Sequence, residues 1–271
     1  MVHAEPTGSP DAAEPSADVA RPPVVLPPDT ALDYVASGAL WGAGLAWLVT
    51  TTSVLNVLYR TIGPRRAQPL TRLYTRGQLL LTGSRLRTVV DPAIDPARTY
   101  VFMQNHINHL DHCIAYGATP HFKQGVELAE HFNYPIYGRF VRGHGTIPVQ
   151  PGQLRQLVHR MREELRSGAS LLVFPEGTRT LDGHVGPFRP GVFRIVQQIG
   201  VPIVPVTVTG MYRVMRKGSL LIRPGHEVTA YFDAPIETAG LSRRDVPDLM
   251  ARVREVMTRR VDAYWRSEVR K

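Results

Sequence analysis

Residues 100–118 read Tyr-Val-Phe-Met-Gln-Asn-His-Ile-Asn-His-Leu-Asp-His-Cys-Ile-Ala-Tyr-Gly-Ala. The β-rich run Tyr100–Gln104 leads directly into Asn105 and His106, and Asp111 opens a helical stretch that runs from His112 to Ala118. A histidine that leaves a strand on the way to a helix sits at the edge of a sheet, where α/β folds keep their active-site groups. Asp111 follows His106 across a short turn, a spacing that brings the carboxylate back onto the imidazole. A carboxylate so placed fixes the ring tautomer and stabilises the imidazolium that forms on proton transfer, which makes the pair a candidate general base near neutral pH.

Moving outward, short β-rich runs alternate with helical patterns, as expected of an α/β domain with a mixed, mostly parallel sheet flanked by helices. Strands are predicted at Leu86–Val90, Tyr100–Gln104, Thr146–Val149, Ser170–Phe174, Ile203–Thr209, Leu220–Arg223 and Val228–Phe232. Gln153–Arg166 reads as an amphipathic helix, with Leu154, Leu157, Val158, Met161 and Leu165 recurring every three or four positions and Gly168 placed to end it. Asp245–Trp265 reads as a C-terminal helix with Leu249, Met250, Val253, Val256 and Met257 on one face. The domain is expected to span 85–271.

Two further segments precede it. Residues 1–30 hold seven prolines among Ala, Asp and Ser, a composition that cannot bury enough apolar surface to offset its ordering entropy, so a disordered tail is expected. Residues 31–84 are expected to be a membrane-associated helical segment. Tyr34–Tyr59 contains no charged residue, and a helix of about 20 residues suffices to cross the hydrocarbon core. Gly38, Gly42, Gly44 and the run Thr50-Thr51-Thr52-Ser53 leave a half-inserted helix as the rival to a spanning one. Arg60, Arg65, Arg66, Arg72, Arg76, Arg85 and Arg87 follow with no acid before Asp91; for a spanning helix this flank puts the domain on the cytoplasmic face. Leu70–Leu81 reads as amphipathic and interfacial.

The chain of 271 residues carries a formal charge of +9. Residues 1–33 are acidic, so the positive charge belongs wholly to the remainder, which should seek an anionic membrane surface. No zinc-finger spacing or aromatic–basic RNA motif is present, and nucleic acid is not an expected partner. The single Cys113 excludes an internal disulfide. His106, His109 and His112 invite a metal, but on a helix their spacing spreads the side chains over about 9 Å of rise, too far for one ion; no metal is expected.

The second informative stretch is Phe174-Pro175-Glu176-Gly177-Thr178-Arg179. A Gly-containing turn carrying a guanidinium is a plausible cradle for an anion such as phosphate. Together with Asn105-His106 and Asp111, with Phe188-Arg189-Pro190-Gly191, and with Val201-Pro202-Ile203-Val204-Pro205-Val206, it resembles the glycerolipid acyltransferase family, typified by 1-acylglycerol-3-phosphate O-acyltransferase, over roughly residues 85–235. The resemblance implies transfer of a fatty acyl group from acyl-CoA or acyl-carrier protein to the free hydroxyl of a lysophospholipid, most simply 1-acylglycerol-3-phosphate, giving phosphatidic acid. No cofactor beyond the thioester donor is implied. His106 would be the base oriented by Asp111, and Asn105, Glu176, Gly177, Thr178 and Arg179 would bind substrate. Glu176 would repel a phosphate, so it is expected to hold a hydroxyl or orient the turn. Cys113 has no implied role, since thioester-to-hydroxyl transfer needs no covalent enzyme intermediate. One departure stands out. Gln150-Pro151 occupies the place where the family usually has Asp-Arg, and proline offers no charge and no N–H. Arg139, Arg142 or Arg155 is a candidate substitute. Another lyso-lipid or an amino-acid-headed lipid is therefore an alternative acceptor, and a non-catalytic membrane-binding protein a remote alternative.

Overall fold

The computed structural model describes residues 21–24, 26, 28–150 and 152–270. Its centre is a seven-stranded sheet of order β1-β7-β6-β2-β5-β3-β4, formed by β1 (Arg85–Val90), β2 (Val101–Gln104), β3 (Lys123–Leu128), β4 (Ile147–Val149), β5 (Ser170–Val173), β6 (Ile203–Thr209) and β7 (Glu227–Phe232). All neighbours are parallel except β6 and β7. Strands β2, β5 and β6 are buried at every position, as strands covered on both faces must be, which is why they read as unbroken apolar runs.

The helices are α1 (Ala31–Thr61), α2 (Gln68–Leu80), α3 (Asp111–Ala118), α4 (Tyr137–His144), α5 (Leu154–Arg166), α6 (Pro190–Ile199), the single turn α7 (Met211–Val214) and α8 (Val246–Val269). Helix α5 ends as expected, with Gly168 in the left-handed region at φ 85°. Helix α8 turns Leu249, Val253, Met257, Val261 and Trp265 into the core.

Helix α1 is built the other way round. It buries Ser37, Gly44, Thr51, Thr52, Leu55 and Tyr59 and exposes Leu32, Tyr34, Val35, Leu45, Val49, Val54 and Val57. The Thr51 and Thr52 hydroxyls return to the carbonyls four residues back, so they enter the interface already satisfied. Trp47 lies so close to α2 that a Cβ on Gly77 would come within 2.5 Å of its ring, and the indole N–H donates to the Tyr74 carbonyl. Tyr59, Tyr74 and Phe140 join α1, α2 and α4 in a second small core. Among the described residues α1 is the helix long and apolar enough to cross a membrane, by length and composition.

Two expectations need correction. Leu220–Arg223 is no strand: the Leu220 carbonyl accepts from Trp41 and Ser37 of α1, the Ile222 N–H donates to Ser37, and the Arg223 N–H donates to the Val214 carbonyl. Strand β3 was not anticipated, because buried Lys123 and Gln124 break the apolar pattern there. Residues 1–20 of the expected tail lie outside the described residues, as does Pro151. Within 21–30, Val24 and Leu26 lie against the main core, and Asp29 pairs with Arg223 and Arg216.

Candidate active site

Strands β2 and β5 are adjacent and parallel, so the segments leaving their carboxyl ends emerge side by side. That is how residues 105–111 and 174–179 meet. The ladder between β2 and β6 is prolonged past Gln104 by a side chain: the Asn105 amide donates to the Val208 carbonyl (3.0 Å) and accepts from the Val208 N–H (2.7 Å). Asn105, expected to bind substrate, thus spends both its polar atoms pinning the start of the turn.

The turn closes on Asp111. One oxygen, Oδ2, lies 2.7 Å from His106 Nδ1 and accepts from the N–H groups of Ile107 (2.5 Å) and Asn108 (3.0 Å). Asp111 stands at the first position of α3 and its side chain is 1% exposed, against 23% for His106. The carboxylate is therefore sealed behind the ring while an edge of the imidazole reaches solvent. Phe174 stacks on that ring at 4.2 Å and 22°, fixing its plane from the side of the second segment. With Nδ1 donating to Asp111, Nε2 is left as the free, basic nitrogen.

Glu176 ties the two segments together. Its Oε1 accepts from the His106 N–H and its Oε2 from the Gly186 N–H, both at 2.9 Å. The residue is buried, and that burial pushes its carboxyl up to about 7 against the two backbone donors, which pull it down. A further bond, from the Thr180 N–H to the His106 carbonyl (2.8 Å), completes the seam. Glu176 faces the protein. Gly177 takes φ 67°, where Cβ-bearing residues are strained, and lets the chain reverse so that Thr178 and Arg179 point outward.

Arg179 approaches His109, Nη1 to Nε2, at 2.7 Å. Desolvation first, and then the guanidinium, hold the His109 imidazole below its usual range, which suits its role as acceptor. His112 goes elsewhere: it is packed against Cys113 Sγ (3.4 Å), Tyr116 and Tyr137, and burial drives it down to about 4. The three histidines diverge, each to its own partner. Burial pushes the Cys113 thiol up, the opposite of what a nucleophile needs.

One residue at the site carried no sequence signal. Lys217 Nζ donates to Thr178 Oγ1 (3.0 Å) and lies 3.4 Å from the Arg179 carbonyl. It follows Arg216 in an irregular stretch outside every motif, so only the fold could bring it here.

An acyltransferase family model matches residues 86–209. A 1-acyl-sn-glycerol-3-phosphate acyltransferase of Limnanthes douglasii is 28% identical over 167 residues, covering 60% of this chain and 59% of that protein. A chloroplastic 1-acyl-sn-glycerol-3-phosphate acyltransferase of Brassica napus is 34% identical over 143 residues, covering 50% of this chain and 40% of its own. The chain thus spans 59% and 40% of the lengths of these two relatives. A probable enzyme of the same name from Mycoplasma genitalium is 24% identical over 237 residues, covering 81% of this chain and 85% of its own. The fold is that of the crystal structure of the 1-acyl-sn-glycerophosphate acyltransferase PlsC from Thermotoga maritima, with a TM-score of 0.73 at 21% identity, over 86% of this chain and 97% of that one.

Proposed function

We propose that this chain, whose residues 86–209 match an acyltransferase family model, transfers a fatty acyl group from an acyl thioester to the free hydroxyl of 1-acylglycerol-3-phosphate, giving phosphatidic acid. The observation that carries this reading is the His106–Asp111 contact of 2.7 Å, with the carboxylate buried and the imidazole edge exposed. His106 Nε2 takes the proton of the acceptor hydroxyl as its oxygen attacks the thioester carbonyl. The same proton then leaves with the thiol. A base placed in this way is worth about 10²–10⁴-fold in rate. Asp111 holds the ring in the tautomer that leaves Nε2 free. Asn105 and Glu176 act as positioning residues through the backbone bonds described above, whereas Thr178 and Arg179, on the outward side of the turn, bind the acceptor's phosphate. A guanidinium suits that task because its planar fork matches two phosphate oxygens. The donor is acyl-CoA or acyl-carrier protein.

We further read residues 31–84 as a membrane-associated unit lying in the headgroup region, with 85–271 as the catalytic domain and 1–30 as a tail. Helix α1 touches the 85–271 part near its start, through Ser37 and Trp41 on the Leu220 carbonyl, and near its end, through Tyr59 against Phe140 and His144. Those contacts lie about 30 Å apart along a helix rising 1.5 Å per residue. A helix bound along that length has its apolar face free for lipid but no freedom to stand across a bilayer away from its domain. The arginines that follow it favour the anionic cytoplasmic leaflet. A second acceptor class, another lyso-lipid or an amino-acid-headed lipid, is favoured by Gln150-Pro151 in place of a charged pair.

The test is a transfer assay on the purified chain in detergent, with both thioester donors and a panel of lyso-lipids. Phosphatidic acid formed from 1-acylglycerol-3-phosphate supports the reading. Turnover of only neutral or amino-acid-headed acceptors moves it to the second class, and no acyl transfer at all refutes it.

A further inference from the structure

The stretch between α7 and β7 is tethered to the segment that carries the base. Asn108 lies between His106 and Asp111, and its backbone N–H bonds the Asp111 carboxylate (3.0 Å). Its side chain spans two other groups: Oδ1 accepts from the Leu110 N–H (2.9 Å), and Nδ2 donates to the Met215 carbonyl (3.1 Å). Met215 in turn closes α7 by donating to the Met211 carbonyl (3.0 Å). The loop is therefore fixed two residues before Lys217, whose half-buried ammonium rests on Thr178 and Arg179. An ammonium has three donors, and these two contacts leave one direction uncommitted.

A phosphate monoester carries up to two negative charges, and one guanidinium neutralises one of them. Arg179 also shares an Nη with His109. At 150 the chain offers an uncharged glutamine. Arg142, one of the candidate substitutes, is turned away onto the Phe132 carbonyl. We propose that Lys217 is the second cation of the acceptor's phosphate subsite, held in place by the Asn108 amide, so that the phosphate sits between Lys217 and Arg179. Asn108 is then a positioning residue. Its amide reaches two backbone groups at once, and truncation to serine removes the Nδ2 donor that holds the Met215 carbonyl. This assignment rests on the acyl-transfer reading above.

The experiment is steady-state kinetics of the full chain in detergent, with 1-acylglycerol-3-phosphate and the thioester donor varied separately, for the wild type, Lys217→Ala and Lys217→Arg. Lys217→Ala raises the acceptor KM about tenfold to a hundredfold, the worth of one charge-assisted hydrogen bond, and leaves the donor KM nearly unchanged. Lys217→Arg restores most of the acceptor KM, because the charge is what matters. Asn108→Ser raises the acceptor KM by a smaller factor than Lys217→Ala. An active wild type whose acceptor KM is unmoved in Lys217→Ala overturns this assignment and leaves the acyl-transfer reading standing. Equal rises in both KM values, or a Lys217→Arg protein as impaired as Lys217→Ala, overturn it too, since they mean loop packing rather than charge. A wild type that ignores every phosphate-headed acceptor overturns the subsite and the reading beneath it together.

Discussion

Helices α1 and α8 are the two long helices of the described chain, and they present opposite faces to the same domain. Helix α8 lays Leu249, Val253, Met257, Val261 and Trp265 on the core and keeps Arg252, Arg259, Arg260 and Arg266 outside. Helix α1 lays Ser37, Gly44, Thr51 and Thr52 inward with Leu55 and Tyr59, and holds Leu45, Val49, Val54 and Val57 away from the protein. Water drives the first arrangement, since burial of apolar area is what docks a surface helix. The second makes sense where the medium outside is itself apolar. Small residues then let backbones approach, and the hydrophobic effect no longer chooses the inward face. The same contrast extends to α2, which buries Thr71, Tyr74, Thr75 and Leu79 and exposes Leu73 and Leu80.

The contrast can be broken in graded ways. Trp265→Ala opens a cavity in the core and orphans the Gly183 carbonyl that its indole N–H satisfies; a loss of about 3–5 kcal/mol in unfolding free energy is expected by chemical denaturation. Changing Val49, Val54 and Val57 together to Ser is expected to leave that free energy almost untouched, because these side chains touch little of the protein. Liposome flotation of the same variant should weaken about a hundredfold, as three valines cease to bury against lipid. If the triple change instead destabilises the protein in detergent as Trp265→Ala does, α1 is an ordinary core helix.

Polar groups turned inward differ between the two regions as well. Thr51 and Thr52 of α1 carry hydroxyls closed on their own helix, and these do not titrate. At the carboxyl end of the sheet Glu176 does. Its folded-state value of about 7 stands above the ordinary 4.5, so the native state holds a proton that the unfolded chain has lost over that window. Stability therefore falls as pH rises from about 4.5 to 7, by on the order of 2–3 kcal/mol, and is flat for this group above and below. Buried His112 and His144, both driven down to about 4, pull the other way over the same range, so the readout is a difference: between pH 5 and 8 the unfolding free energy of Glu176→Gln should change by on the order of 2–3 kcal/mol more in the favourable direction than that of the wild type, whatever the variant's absolute stability. The smallest effect expected is at the inward face of α1. Ser37→Ala removes bonds to Leu220 and Ile222 and should cost about 1–2 kcal/mol, with flotation unchanged.

What the sequence revealed follows the same division. Strands β2, β5 and β6 announced themselves because both their faces are buried in protein, and α5 and α8 because one face is. Residues 105–111 and 174–179 could be located by their chemistry, and the adjacency of β2 and β5 then brought them together. The use of Asn105 and Glu176 was less visible, since a motif names a residue without saying that its polar atoms are consumed by Val208, His106 and Gly186. Strand β3 was hidden because Lys123 is buried on an apolar strand face, its ammonium held by Thr119 and the Phe102 ring. Leu220–Arg223 misled in the opposite sense. It has the composition of a strand, but Leu220 and Ile222 find their partners on a helix about 180 residues earlier, a pairing no local pattern encodes. Lys217 reached the site by the same long-range route.

If His106, held by Asp111, is the base of an acyl transfer, single-turnover kinetics of His106→Ala on 1-acylglycerol-3-phosphate in detergent will register its loss. The expected rate is lower by about 10²–10⁴-fold, with liposome flotation and the unfolding midpoint like those of the wild type. An active wild type whose turnover is nearly matched by His106→Ala would contradict it.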